Sequence, residues 1–204
     1  MSVETTGRRR RADGERSREK ILQAAAELAT IEGLNGLSIG RLADTVGMSK
    51  SGLYAHFRSK EELQLATVET ASRILAAELE PGMVAPEGKA RIVALCDAFL
   101  SHVERRVFPG GCFFASGAAE LSTQPGRVRD AIATSYRDWI ALLQGEVRTA
   151  QAAGEIDEGE DPEQLVFELN GILVAANVFF LLFDDPAELV RARRGVRERL
   201  ENSH

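Results

Sequence analysis

Between Ser49 and Lys60 the chain reads SKSGLYAHFRSK, a run of small, hydroxylated and basic residues suited to hydrogen bonding with phosphate oxygens and base edges. Lys50 can donate to guanine O6 and N7 or to a phosphate, and Ser51 to either kind of acceptor. Gly52 permits close backbone approach, and Tyr54 and His56 can reach phosphate oxygens. Ser38 and Lys60 fall at expected helix starts, where unpaired N–H groups and the positive end of the helix dipole favour an anion. Arg41 lies one turn into the helix that Ser38 caps, on its exposed side.

Such groups work together only if rigid elements hold them. Ser38 caps a short helix, Ile39 to Val46, whose inward residues are Ile39, Leu42, Ala43 and Val46. Gly47 ends it in the left-handed conformation that glycine adopts cheaply. Ser49 caps the next helix, expected to run to about Phe57, with Met48, Leu53 and Phe57 as anchors beneath it. A small residue where the helices cross (Ala43), a glycine at the turn and apolar anchors make a helix-turn-helix, whose second helix enters the major groove by its N-terminal residues. Ahead of this pair, Arg16 to Gly33 carries Ile21, Leu22, Ala25, Leu28 and Ala29 on one stripe. Behind it, Ser59 and Glu62 form an expected capping box for a long helix to about Leu79.

At this point the residues resemble a known family. The stretches REKILQAAAELATIEG and LSIGRLADTVGMSKSGLYAHFRSKEEL are similar to the DNA-binding domain of TetR-family transcriptional regulators, over about residues 16 to 65. The resemblance implies a small reader on an all-helical body. It also implies a homodimer on a palindromic operator, usually a repressor, released by a small-molecule effector. Ser38, Arg41, Ser49, Lys50, Ser51, Tyr54, His56 and Lys60 match the family's DNA-facing positions. The tract from Pro109 to Phe114, PGGCFF, resembles one found in some members and identifies no ligand.

The remainder is also helical by periodicity, giving an all-α fold. Helices are expected at about 89–107, 112–123, 126–153, 162–183 and 186–201, with a break between Glu80 and Lys89. The expected division is a flexible basic arm at 1–15, the helix-turn-helix domain at 16–62 and a ligand-binding and dimerisation domain at 63–204. The 204 residues carry a net charge of −6. That acidity is unevenly spread: residues 1–60 hold 11 basic and 7 acidic side chains, net +4, and the rest net −10. The basic part has the sign that phosphate binding requires. Arg8 to Arg11 can serve as an arm in a flanking minor groove or as a solvated tail.

Two cysteines and no apolar leader after Met1 point to the reducing cytoplasm. The apolar run from Gly171 to Phe183, broken at Asn177, falls short of a membrane span, so no membrane partner is expected. His56, His102 and His204 show no metal-ligand spacing, no cofactor motif occurs, and no catalytic set competes, so an enzyme is not expected. The helix at 162–183 is apolar nearly all round. Its stripe of Leu165, Leu169, Leu173, Ala176 and Phe180, with Leu189 and Val196 beyond, is the expected dimer seam. Candidate lining residues for an effector pocket are Phe99, His102, Cys112, Phe113, Phe114, Tyr136, Trp139, Phe167 and Asn170. Alternatives left open are an architectural DNA-binding protein without an effector and a redox regulator acting through Cys112.

Overall fold

Ile21, Leu22, Ala25 and Leu28 recur on one face of the first helix, and that face is buried, as the spacing demands. The computed structural model describes residues 3–203, with side chains from Gly14 onward. Among them the helices are α1 (Val3–Glu32), α2 (Ile39–Val46), α3 (Lys50–Tyr54), α4 (Lys60–Met83), α5 (Lys89–Glu104), α6 (Phe113–Leu121), α7 (Arg127–Ala152), α8 (Pro162–Phe183) and α9 (Ala187–Glu201). The backbone of α1 is helical from Val3, ahead of the expected start at Arg16. The flexible-arm expectation otherwise concerns the side chains of Arg8 to Arg11, which lie outside the described residues.

Two apolar cores share α1 and α4. The smaller gathers Ile21, Leu22, Ala25 and Leu28 of α1 with Leu42, Leu53, Phe57 and Leu63. The larger begins on the same two helices, at Ala26, Ala29, Val68 and Ala71, and continues through α5 to α9. A paired α1 and α4 thus form a continuous strut between the two.

The boundaries of four further helices differ from expectation. Helix α3 stops at Tyr54 instead of running to Phe57, because the chain turns there: the N–H groups of His56 and Phe57 both donate to Leu53 O, at 2.9 and 3.2 Å. That turn brings Phe57 under the helix, fully buried. Helix α4 continues through Pro81 to Met83. Proline forfeits the bond to Ala77 O, yet close packing on α5 holds the last turn: a Cβ on Gly82 would lie 3.0 Å from Ala94 O and from Leu95 Cα. Helix α5 ends at Glu104, short of 107, and α6 spans only Phe113–Leu121.

Helix α8 requires the main correction. Leu165, Leu169, Leu173, Ala176 and Phe180, with Leu189 and Val196 on α9, are buried inside the chain's own core, none above 5% exposed. They do not form an outer seam. The face left open carries Phe167, Val178, Phe179, Leu182 and Phe183, with Val190 on α9. An all-round apolar helix offers two stripes, and sequence periodicity does not say which one the chain covers itself. As a whole α8 is long and apolar enough to cross a membrane, by length and composition. Here one side of it is core.

Candidate nucleic-acid interface

The reader is set by its caps. Ser38 Oγ accepts from Arg41 N–H at 3.2 Å and fixes the start of α2. Gly47, at φ +67°, ends α2 in the left-handed region and turns the chain toward α3. Ser49 Oγ then accepts from Gly52 N–H at 3.1 Å and lies 3.2 Å from Ser51 Oγ. Leu53 and Phe57 sit fully buried beneath, so the opposite side of α3 must face outward. That side presents Ser49, Lys50, Ser51 and Tyr54, all exposed, beside the half-buried Gly52 and His56.

The cations around it are held in different ways. Lys50 packs its stem over Gly40, where an added Cβ would meet its Cε at 3.3 Å, and its ammonium makes no ion pair among the described residues. Arg41 is paired with Glu32 at 2.7 Å, and that carboxylate raises its pKa. Lys60 Nζ donates to Asn35 O. Both contacts are solvent-exposed and therefore weak, so a phosphate can displace either partner. The Ser59 cap accepts from Glu62 N–H at 3.1 Å, whereas the Glu62 carboxylate reaches Arg58 N–H at 2.9 Å, one residue earlier than in a standard capping box.

All nine residues expected at the DNA surface therefore belong to one small domain, with their exposed members around α2, α3 and the start of α4. Sequence reasoning missed the residues that steady them. Arg18 lies over the Phe57 ring at 4.7 Å from its centroid, Gly40 makes room for Lys50, and Glu120 of α6 accepts from Leu34 N–H and Asn35 N–H, both at 2.7 Å. A glycine opposite a lysine ten residues on was a usable signal. The contact of Glu120, distant in sequence, left none.

A second site lies inside the body, a cavity of about 300 Å³. Its walls come from Ser72, Leu75, Ala76 and Leu79 of α4, Phe99 of α5, and Cys112 and Phe114 at the start of α6. Ser135, Tyr136, Asp138, Trp139 and Leu142 of α7 and Asn170 and Val174 of α8 complete it. The rings of Phe99 and Trp139 stack at 6.4 Å. Three expected lining residues stand elsewhere. Phe167 is 74% exposed on the outer face of α8. Phe113 packs in the core between Phe108 and Phe114.

His102 is also core, edge-on to Phe108, with no hydrogen bond to either ring nitrogen among the described residues. Its nearest carboxylate, on Glu78, is 4.0 Å away. Burial lowers its pKa and keeps it neutral, against the opposite pull of Glu78. Burial likewise raises the Cys112 thiol, opposed by the N–H groups of Ala115 and Phe114, and pushes the Tyr136 phenol up to about 12. Both are neutral groups at ordinary pH.

A compact helix-turn-helix with an exposed basic recognition helix, carried by a helical body, defines a DNA-binding transcriptional regulator. A family model described as "Bacterial regulatory proteins, tetR family" matches residues 21–67, and one described as "Tetracyclin repressor-like, C-terminal domain" matches residues 88–196. The chain belongs to the TetR family of transcriptional regulators, which are not enzymes.

It is 25% identical to the transcriptional regulator AcuR of Cereibacter sphaeroides over 157 residues, 75% of this chain and 71% of that one. The structure resembles a TetR regulator from Chloroflexus aurantiacus, with TM-score 0.87 and 25% identity over 94% of this chain and 98% of that one. AibR, solved with isovaleryl coenzyme A and operator DNA, shares the fold at TM-score 0.70 and 22% identity, over 87% of this chain and 95% of that one.

Proposed function

We propose that this regulator is a cytoplasmic homodimeric repressor that grips a palindromic operator with two readers and releases it when a small molecule fills the body cavity. Residues 16–62 serve as the reader and 63–204 as the sensing and dimerising part. One observation carries the reading: the cavity is walled by the two elements that also hold the reader. Helix α4 lines it with Ser72, Leu75, Ala76 and Leu79 and begins at the reader's Ser59 cap. Helix α6 lines it with Phe114, from just beyond Cys112, and grips the loop after α1 through Glu120. Gly110, ahead of α6, donates to Thr30 Oγ1 at 3.0 Å, and a Cβ there would lie 1.9 Å from Thr30 O.

A ligand that spreads α4 and α6 therefore acts on the reader without touching it. Family relatives supply precedent, since AibR is named with both a coenzyme A thioester and operator DNA. A coupling of about 1–3 kcal/mol corresponds to roughly 5- to 150-fold loss of operator affinity. Dimerisation is assigned to the open apolar face of α8 and its flank on α9. There Phe179 and Phe183 stack at 5.6 Å, and Gly171 leaves room for a partner helix.

Linkage tests this without knowing the effector. Trp139, the chain's one tryptophan, lines the cavity. Saturating the protein with operator DNA is expected to shift Trp139 emission; operator binding that leaves the emission unchanged contradicts the coupling.

A further inference from the structure

We propose that the cavity selects a flat, apolar amine bound as its ammonium ion, with the carboxylate of Asp138 as the group that reads the charge. This rests on the reading of the cavity as the effector site and adds the ligand's chemical class. The first observation is the charge of the walls. Among the described residues no lysine, arginine or histidine lines the cavity, and Asp138 is the one charged lining residue. It forms no ion pair among the described residues and sits at the exposed rim. An anion entering here leaves water for an apolar wall without a counter-charge, which is strongly unfavourable. A cation meets the opposite: a carboxylate at the rim and the aromatic rings of Phe99, Tyr136 and Trp139 among the walls.

The second observation is shape and polarity. The rings of Phe99 and Trp139 stack on each other and line the cavity together with Leu75, Leu79 and Leu142, a lining of rings and aliphatic groups that favours an apolar ligand with a flat ring of its own. The Ser135 hydroxyl donates to Ala131 O at 3.3 Å and lies 3.2 Å from the Ser72 hydroxyl across α4 and α7. The Tyr136 hydroxyl and the Asn170 amide make no hydrogen bond to the described residues, and both can accept an ammonium proton. The field of the body points the same way, since residues 61–204 carry net −10 and draw cations toward the rim.

The test uses the full-length protein and three probes of one shape: para-butylbenzylamine, para-butylbenzyl alcohol and para-butylbenzoate. Binding is read by calorimetry and by Trp139 emission. The amine is expected to bind about threefold to tenfold tighter than the alcohol, and the carboxylate at least about fiftyfold more weakly than the amine. Asp138→Asn, at an exposed position, brings the ratio of amine to alcohol to about one. The proposal is overturned if the carboxylate binds as well as the amine, if the amine's advantage survives Asp138→Asn, or if none of the three binds. Operator release is followed separately by anisotropy. An amine bound through Asp138 that leaves the operator in place supports the ligand class and removes the effector reading instead.

Discussion

The reader and the body distribute their polar and apolar groups in opposite ways. In the reader the interior is filled, with Leu42, Leu53, Phe57 and Leu63 at 0% exposure, and the functional groups stand outside on α3. In the body the chemistry is turned inward around a hollow of about 300 Å³, and an apolar face is left outside on α8. A surface that reads DNA needs a rigid support, so it stands on a packed core. On the proposed reading the body is a sensor, which needs space that a ligand can fill, so it gives up contacts there. One chain thus holds a recognition helix on a filled core and a body with a hollow, joined through α1, α4 and α6.

If the two cores are separable, damage to one should spare the other. Phe57→Ala removes the largest fully buried side chain of the reader and is expected to cost about 3–5 kcal/mol there. Hydrogen exchange should accelerate across 39–63 while α5 and α8 stay protected, and operator binding should vanish. Equal loss of protection throughout would show a single cooperative unit.

The open face of α8 gives the next effect. Phe179→Glu with Leu182→Glu places charges on an apolar surface that is already exposed, so folding is preserved, while pairing of two such faces is blocked. Light scattering should report a monomer at micromolar concentration, and operator affinity should fall at least about a hundredfold, since each half-site is then bound alone. A variant that remains dimeric puts the seam elsewhere.

The smallest effect concerns the body's interior. His102 has a pKa lowered from its ordinary 6.5 by burial, so the unfolded chain takes up a proton that the folded chain refuses. Stability therefore declines as pH falls below about 6.5. The melting temperature of the wild type should drop between pH 7.5 and 5.5 by more than that of His102→Leu; parallel curves would show that the ring plays no part.

What the sequence disclosed follows the same division. Caps, turns and a recognition surface depend on particular residue types at short spacing, so Ser38, Gly47, Ser49 and Ser59 could be placed from the chain alone. The start of α2 and the ends of α8 agree with expectation to the residue. The cavity was legible only through its aromatics and Asn170 and Cys112. Its α4 wall uses Ser72, Leu75, Ala76 and Leu79, side chains that look the same in any core. Phe167 and His102 show the converse, since a conspicuous residue type does not reveal which way its helix faces. The stripe on α8 failed as a seam for that reason. The grip of Glu120 on Leu34 and Asn35 spans distant parts of the chain and leaves no local pattern.

The central claim is that the exposed face of α3 reads DNA. Fluorescence anisotropy with duplexes tiled across the DNA flanking the gene, for wild type and Lys50→Ala over a salt series, tests it most directly. Two readers each offering Arg41, Lys50 and Lys60 should bind one tile preferentially and lose about a thousandfold in affinity between about 50 and 200 mM salt. Lys50→Ala should weaken that binding about tenfold or more. Binding that shows neither sequence preference nor salt dependence, or that ignores Lys50→Ala, would contradict the account.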